Sequence, residues 1–382
     1  MMNVSTEIIS HLTQLIKLSS ITPDDAGCQQ YIADQLTKSG YTYIDVSKNA
    51  VTNTLFFKDK NKPLLLFVGH TDVVPPGPLE LWNCDPFTLT INDDTLYGRG
   101  VADMKGSVSV MIKILQQFND SDKNIALLLT SDEEGDAIDG VRFAISSLLT
   151  QGFTIELAIV GEPTASLSSG DTIKIGRRGS INSTIIVKGK PGHVAYPDLT
   201  INPIILSVKP LQALCEIVFD LPCESFDLTQ LQCTSVYAGN KGLRNVIPAT
   251  ATIEFNIRFS PAYTEVQIKE IISRHLQPFQ DILTTSWTRA SLPYLTTNKK
   301  AISLISSAVK SVTKKDPILS TSGGTSDGRF LSHELIPVIE LGPPNATIHK
   351  PNEQILLRDL ESLYTCYYQI VQAYFPDCTK VP

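Results

Sequence analysis

Residues 64–74 read LLLFVGHTDVV. The unbroken apolar run from Leu64 to Val68 is typical of a strand buried on both faces, and polar residues follow at once. The same arrangement recurs as IALLLTSDEE from Ile125 and as IELAIVGEPT from Ile155. A helical stretch precedes each of these two runs. The interleaving predicts an α/β sheet covered by helices on both faces, with polar clusters at the carboxyl ends of its strands.

The pattern changes after about residue 180. Strand-like runs and two helical stretches then fit a compact α+β unit of two helices on a mostly antiparallel sheet. Alternation of helices and strands resumes after Pro293. We therefore predict an outer domain of residues 1–179 and 294–382, built on a mixed, mostly parallel sheet flanked by helices. Residues 180–293 are predicted to form a second domain inserted into the first.

Composition narrows the class of function. The 382 residues include 32 Lys and Arg against 39 Asp and Glu, a net charge of −7, with no long block of like charges. This balance argues against nucleic acid or an anionic membrane as the partner. The amino terminus, MMNVSTEIISHLTQLIKLSS, resembles an amphipathic helix more than a signal peptide, and no apolar run approaches the roughly 20 residues of a membrane span. We expect a cytoplasmic protein that acts on a small molecule.

Seven scattered cysteines without a CxxC pair indicate neither a disulfide framework nor a Cys-type zinc site. Histidines and acids are therefore the candidate ligands. His70 and Asp72 lie two apart at a strand end, so the carboxylate can accept one imidazole N–H and direct the other nitrogen to a metal. By itself such a pair is more often an ordinary hydrogen bond. Asp103, in LYGRGVADMKG, could equally cap the helix that follows it.

Four further residues complete the candidate cluster. Glu133 and Glu134 come directly after an apolar strand, and a plausible division gives one to a metal and the other to proton transfer. Glu162 stands at a third strand end, and His349 in ATIHKPNE would in isolation be an ordinary surface residue. Taken together, two histidines and three carboxylates suit zinc or a similar divalent ion, and a shared carboxylate allows a two-metal hydrolytic centre. Spacing alone does not assign the roles.

Nine strings carry a resemblance to a known family: GHTDVVP, YGRGVADMKG, TSDEEG, GEPT, GRRGS, GHVAYP, NVIP, SGGTSDGRF and GPPNATIHKPNE. In this order they span residues 69–353. The chain resembles the di-zinc aminoacylase and carboxypeptidase family. GHTD, ADMKG and DEE mark the wider family, whereas GRRGS, GHVAYP and SGGTSDGRF are closer to the branch that removes N-succinyl groups.

The resemblance implies a zinc-peptidase-like catalytic domain that holds two zinc ions, with cobalt or manganese as alternatives at the second site. Asp103 would bridge the two ions. His70 and Glu162 would complete one site, and Glu134 and His349 would complete the other. All five ligands belong to the outer domain.

The resemblance also implies roles around the metals. Asp72 would orient His70, and Glu133 would be the general acid and base. The inserted domain would mediate a homodimer in which His193 and Asn245 reach the active site of the partner subunit. The implied substrate contacts within the chain are Lys174, Arg177, Tyr196, Arg258, Gly324, Thr325 and Asn345. Arg244 is bulkier than the small or amide residue often found before this Asn in relatives, which leaves the details of the Asn245 contact open.

The implied reaction is hydrolysis of N-succinyl-L,L-2,6-diaminopimelate to succinate and L,L-2,6-diaminopimelate, in the supply of lysine and of a cell-wall precursor. Arginine forks and lysine charges suit a substrate with several carboxylates. A deacylase for N-acetylornithine, or a general aminoacylase, would share the metals and differ in the acyl pocket. A non-catalytic amino-acid-binding homologue would be expected to lack a ligand or the base, whereas this chain has all of them.

Overall fold

The computed structural model describes residues 4–239 and 242–376. In these residues the α-helices are α1 (Val4–Lys17), α2 (Cys28–Leu36), α3 (Lys105–Gln117), α4 (Val141–Thr150), α5 (Pro203–Cys215), α6 (Glu265–Leu276), α7 (Lys299–Thr313), α8 (Gly328–His333) and α9 (Leu357–Tyr374). The strands there are β1 (Thr42–Asp45), β2 (Asn53–Phe57), β3 (Leu64–His70), β4 (Thr90–Asn92), β5 (Thr95–Tyr97), β6 (Ile125–Thr130), β7 (Ile155–Val160), β8 (Thr172–Lys174), β9 (Gly176–Arg177), β10 (Gly179–Lys188), β11 (Gly192–His193), β12 (Gln230–Ala238), β13 (Val246–Ile247), β14 (Thr250–Phe259), β15 (Leu283–Trp287), β16 (Tyr294–Leu295), β17 (Ile318–Ser320), β18 (Val338–Glu340) and β19 (Gln354–Leu356). Within this part of the chain no helix combines the length and hydropathy that a membrane crossing requires.

The largest sheet has eight strands in the order β1-β2-β6-β3-β7-β18-β8-β17. Every residue of β3 and β6 is buried. Leu65 and Phe67 of β3 belong to a core shared with residues of α1, α3 and α9, while the alternate residues Leu66 and Val68 are buried as well. Burial of both sets explains why this strand is a continuous apolar run. The predicted α/β sheet flanked by helices is confirmed.

Parallel pairing places three strand ends at one edge of this sheet. β3 pairs in parallel with β6, His70 lying opposite Thr130, and with β7, Val68 lying opposite Val160. β18 pairs in parallel with β7. On the other side of the sheet, β2 pairs antiparallel with both β1 and β6. The segments that carry the predicted polar clusters therefore leave the sheet side by side.

The second fold element is an antiparallel sheet in the order β12-β14-β10-β15. β10 and β14 pair along ten residues, from Gly179 opposite Phe259 to Lys188 opposite Thr250. Alternate residues of these strands are buried in a core that also takes in residues of α5 and α6. A capping box formed by Thr264 starts α6. This is the predicted α+β arrangement of two helices on an antiparallel sheet.

The chain divides into two compact units. The outer unit contains the described residues of Met1–Gly176, Leu295–Ser320 and Ser326–Pro382, and the second contains those of Arg177–Tyr294 and Thr321–Thr325. The sequence-based boundaries, 179/180 and 293/294, lie close to these breaks. The short segment 321–325 was expected in the outer domain. It groups with the second unit because Thr321 donates a hydrogen bond to the carbonyl of Ser225, and Arg177 donates one to the carbonyl of Gly324 at 3.5 Å.

Candidate metal centre and active site

Five predicted ligands converge in the outer unit. His70 ends β3, Glu134 follows β6 and Glu162 follows β7, while Asp103 precedes α3 and His349 lies before β19. Their ligand atoms form two groups of three, each within 4.8 Å, and both groups contain Asp103. The fold therefore brings together residues that are up to 279 positions apart (349 − 70).

The first group is His70, Asp103 and Glu162, all buried. The Nε2 atom of His70 lies 3.1 Å from Oδ1 of Asp103 and 3.7 Å from Oε1 of Glu162. The second group is Asp103, Glu134 and His349. The Nε2 atom of His349 lies 2.9 Å from Oε1 of Glu134 and 3.3 Å from Oδ2 of Asp103. Each oxygen of Asp103 thus faces a different histidine, which is the arrangement of a carboxylate that can bridge two ions.

The pKa shifts of Asp103 and His349 show that this cluster favours positive charge next to its carboxylates. Burial opposes ionisation of Asp103, but hydrogen bonds from His349 and His70 outweigh it and lower the pKa of this carboxyl group. The same contacts to Asp103 and Glu134 raise the pKa of His349 to about 10. The site therefore holds positive charge between its carboxylates. A divalent cation bound to the same atoms would replace these histidine protons.

Glu133 lies beside the ligands and is partly accessible to solvent. Its carboxylate belongs to a third group within 4.8 Å, with His70 and Glu134. Desolvation of the carboxyl group, reinforced by the nearby charges of Glu162 and Asp327, raises the pKa of Glu133 well above its usual value. A carboxyl group with a raised pKa is suited to accept and return a proton near neutral pH.

The contacts of Asp72 differ in detail from the expected ones. The Nδ1 atom of His70 lies 2.9 Å from the main-chain oxygen of Asp72, and 3.6 Å from its carboxylate. The carboxylate instead accepts hydrogen bonds from the main-chain N–H groups of Glu133, at 3.4 Å, and Glu134, at 3.1 Å. In this structure the backbone of Asp72 orients the histidine, and its side chain holds the turn that carries both glutamates.

The candidate substrate contacts are divided between the two units. In the outer unit, Nζ of Lys174 donates to the hydroxyl of Ser320 at 3.1 Å, and Asn345 is exposed. In the second unit, Arg177 contacts the segment of Gly324 and Thr325.

Arg258, on β14 of the second unit, is a candidate anion ligand. Its Nη1 atom is buried without a hydrogen-bond partner among the described residues. Burial and the neighbouring charge of Arg178 lower the pKa of Arg258. An anionic group bound here would accept a hydrogen bond from Nη1 and would offset the repulsion between the guanidinium groups of Arg258 and Arg178.

His193, Tyr196 and Asn245 form an exposed cluster on the second unit. β11 pairs with β13, so that His193 lies opposite Val246, and the N–H of Val194 donates to the main-chain oxygen of Asn245 at 3.1 Å. The ring of Tyr196 lies 5.8 Å from that of His193. This cluster and the metal-ligand candidates therefore belong to different units of the chain.

Three buried charged residues next to the ligands, Asp327, Glu353 and Arg99, have no functional role in the sequence analysis, where Asp327 is at most a cap of the helix DGRFLSH. Asp327 stands at the start of α8 but makes no capping hydrogen bond, and neither of its carboxylate oxygens has a partner among the described residues. Burial, with the charges of Asp72 and Asp132 adding to it, raises the pKa of Asp327 to about 7. Glu353 and Arg99 form a buried ion pair at 2.7 Å. The available signal was that Arg99 and Glu353 stand inside the quoted motifs YGRGVADMKG and GPPNATIHKPNE.

Comparisons with known proteins agree with this geometry. The sequence model of Peptidase family M20/M25/M40 matches residues 66–373. A protein of Nitrosomonas europaea named succinyl-diaminopimelate desuccinylase is 41% identical over 372 residues, which cover 95% of this chain and 98% of that protein.

Solved structures show the same fold. The M20 family metallo-carboxypeptidase Sso-CP2 of Sulfolobus solfataricus superposes with a TM-score of 0.84 at 19% identity, covering 96% of this chain and 99% of the other. The Bacillus subtilis YXEP protein, described as a dinuclear metal-binding peptidase of the M20 family, gives a TM-score of 0.72 at 15% identity, covering 96% and 97%.

The raised pKa of Asp327 predicts a pH-dependent stability of the metal-free protein. The pKa of Asp327 is about 7 in the folded chain and lower in the unfolded chain. As the pH rises between these two pKa values, the carboxyl group ionises more readily in the unfolded chain, so the free energy of unfolding falls. In chelator-treated protein, we expect Asp327→Asn to increase the free energy of unfolding by about 2–4 kcal/mol at pH 8 and by much less near pH 4.5. Urea denaturation at both pH values measures this, with Asp34→Asn on the exposed face of α2 as the control. An equal gain at both pH values would contradict the assignment.

Proposed function

Because the chain belongs to Peptidase family M20/M25/M40, we propose that it hydrolyses the amide bond of N-succinyl-L,L-2,6-diaminopimelate. The products are succinate and L,L-2,6-diaminopimelate. The diaminopimelate serves the synthesis of lysine and of a cell-wall precursor, and the enzyme would work in the cytoplasm. The observation that carries the proposal is the pair of three-residue groups joined at Asp103 with Glu133 beside them. The substrate follows from the near full-length similarity to relatives named for this reaction.

The donor set fits two divalent metal ions. Each group supplies one imidazole nitrogen and two carboxylates, a set that suits zinc and leaves coordination positions for water or substrate. We assign one zinc ion to His70, Asp103 and Glu162 and the other to Asp103, Glu134 and His349, with cobalt or manganese as alternatives at the second site. When bound, the ions would supply Lewis acidity, lowering the pKa of a water and polarising the amide carbonyl.

Proton transfer is assigned to Glu133. Its carboxylate accepts a proton from the attacking water as the new C–O bond forms at the succinyl carbonyl. It then returns the proton to the amine nitrogen as the C–N bond breaks. The turn held by the side chain of Asp72 keeps Glu133 in place during both transfers.

Cationic side chains match the carboxylates of the substrate. N-succinyl-diaminopimelate carries three carboxylates, and Lys174, Arg177 and Arg258 supply three positive charges. The unpartnered Nη1 of Arg258 is the clearest candidate for a carboxylate that arrives with the substrate. Tyr196, Gly324, Thr325 and Asn345 complete the proposed substrate contacts.

We further propose a homodimer in which the partner subunit's His193 and Asn245 complete the active site. Several large apolar side chains on α5 and on the edge strand β12 are exposed in the single chain: Ile204, Ile205, Val208, Val236 and Tyr237. An apolar helix face beside an unpaired strand edge is suited to association with a second copy. His193 would then hydrogen-bond the carbonyl oxygen of the substrate as negative charge develops on it.

The substrate assignment predicts a clear preference. We expect kcat/KM for N-succinyl-L,L-diaminopimelate to exceed that for N-acetylornithine at least about 10²-fold, since an acetyl group leaves the cations that bind the distal carboxylate unpaired. Activity should disappear on chelation and return with Zn²⁺. A preference for the acetyl compound would instead support an acetylornithine deacetylase or general aminoacylase.

The role of Glu133 predicts a separation of binding from turnover. Glu133→Gln should bind two Zn²⁺ per subunit with near-normal affinity, because Glu133 lies outside both ligand groups that contain Asp103, while kcat falls by about 10²–10⁴-fold. Zinc content and steady-state kinetics measure the two effects. Near-normal kcat in this variant would remove Glu133 from the proposed role.

The shared active site predicts complementation between two inactive chains. Glu133→Gln and His193→Ala should each be nearly inactive, yet mixed dimers would combine an intact Glu133 with the partner's intact His193 at one of their two sites. Random exchange of subunits should therefore restore up to about a quarter of wild-type activity. Absence of any recovery in subunits that demonstrably exchange would mean that His193 acts within its own chain.

A further inference from the structure

Glu353 is a charged residue with no exposed surface, and its carboxylate is fully occupied. Oε1 accepts hydrogen bonds from the main-chain N–H groups of Ala102, at 2.9 Å, and Asp103, at 3.0 Å. Oε2 accepts from the main-chain N–H of Gly100, at 2.9 Å, and from Nη1 of Arg99, at 2.7 Å. Three of its four donors are therefore backbone amides of the turn that ends at Asp103.

Arg99 extends this contact to another loop. It is almost fully buried, and its Nη2 atom donates to the carbonyl of Pro75 at 3.5 Å. The guanidinium also lies over the ring of Trp82, whose Nε1 donates to the carbonyl of Pro76. Arg99, the ion-pair partner of Glu353, therefore also contacts the segment that follows His70 and Asp72.

The ion pair joins the three segments that carry His70, Asp103 and His349. Glu353 follows His349 by four residues, and the N–H of Gly98 donates to its main-chain oxygen at 3.1 Å. Asp103 and His349 lie in irregular segments that adjoin the paired strands β5 and β19, whereas His70 is the last residue of β3, opposite Thr130. A common buried carboxylate fixes their relative positions.

We propose that Glu353, through its ion pair with Arg99, is a positioning residue that sets the distance between the two histidine ligands across Asp103. This role rests on the metal site of the proposed function. It does not require Glu353 to touch a metal ion or the substrate. Its carboxylate acts through the backbone of the bridging residue and through the loop of His349.

The isosteric variant Glu353→Gln tests the proposal. Its amide nitrogen would face either two backbone N–H groups or a guanidinium and an N–H, so at least two donors lose their acceptor. Because partners that orient metal ligands typically contribute 10–100-fold to metal affinity, we expect the dissociation constant for Zn²⁺ to rise by about that factor. Competition with a chromophoric chelator measures the affinity. The visible spectrum of the Co²⁺-loaded protein, which reports coordination geometry, should change as well.

Asp171→Asn is the matched control. The carboxylate of Asp171 also accepts from three main-chain N–H groups, those of Ser166, Leu167 and Ser168. These donors lie four to six residues beyond the ligand Glu162 in the connection between β7 and β8, and, unlike the Asp103 N–H that Glu353 accepts, none of them belongs to a ligand residue. It should leave zinc affinity and the cobalt spectrum close to wild type, whatever its effect on thermal stability. Wild-type affinity and spectrum in Glu353→Gln would overturn the proposal, even if the variant were less stable.

Glu353→Asp covers the case in which Glu353→Gln does not fold. It keeps the negative charge beside Arg99 but shortens the side chain by one methylene, so one carboxylate cannot reach all four donors. An intermediate loss of zinc affinity is expected, and unchanged affinity would overturn the proposal. Substrate turnover is not a readout in these measurements, so a wrong substrate assignment would not affect them. Failure of the wild-type chain to bind Zn²⁺ would reject the metal site and this role together.

Discussion

Concentrating carboxylates at one sheet edge is the constraint on which the rest of the structure depends. Asp72, Asp103, Glu133, Glu134 and Glu162 meet where β3, β6 and β7 end, and most of this cluster is buried. Like charges in such a setting repel one another and resist desolvation. The fold offsets this cost with histidine contacts to Asp103 and with backbone N–H groups directed at the surrounding acids.

Backbone amides are the recurring counterpart to the buried acids. The carboxylate of Asp72 accepts from the turn of Glu133 and Glu134, and that of Asp132 accepts from Ile138 and Asp139. Glu353 does the same for the turn that leads to Asp103. Each contact satisfies a buried charge and also fixes a loop that follows a strand or precedes a helix. Electrostatic compensation and the placement of ligands are therefore achieved by the same hydrogen bonds.

The sequence predicted regular elements best where the packing is most regular. The helical stretch predicted before the run from Ile125 forms as α3, and the runs beginning at Leu64 and Ile125 form the fully buried strands β3 and β6. Segment 321–325 was harder to predict, since its place depends on hydrogen bonds to Arg177 and Ser225 rather than on any periodicity. Asp103 shows the same limit. Its position before a helix fits a cap, and only the approach of two distant histidines distinguishes a shared ligand.

Residue types and strand periodicity alone determined an α/β sheet with polar carboxyl ends, and an α+β segment inserted into that part of the chain. They also determined which acids and histidines were candidates. Tertiary structure decided that each oxygen of Asp103 faces a different histidine and that the backbone of Asp72 orients His70. It also decided that Glu353 and Arg99 link the irregular segments of Asp103 and His349 to the segment that follows His70. The physical reason is that the burial of a strand follows from its own local pattern of side chains, whereas these contacts join segments far apart in the sequence. Arg99 and Glu353, for example, are separated by 254 positions. No local pattern encodes such a contact.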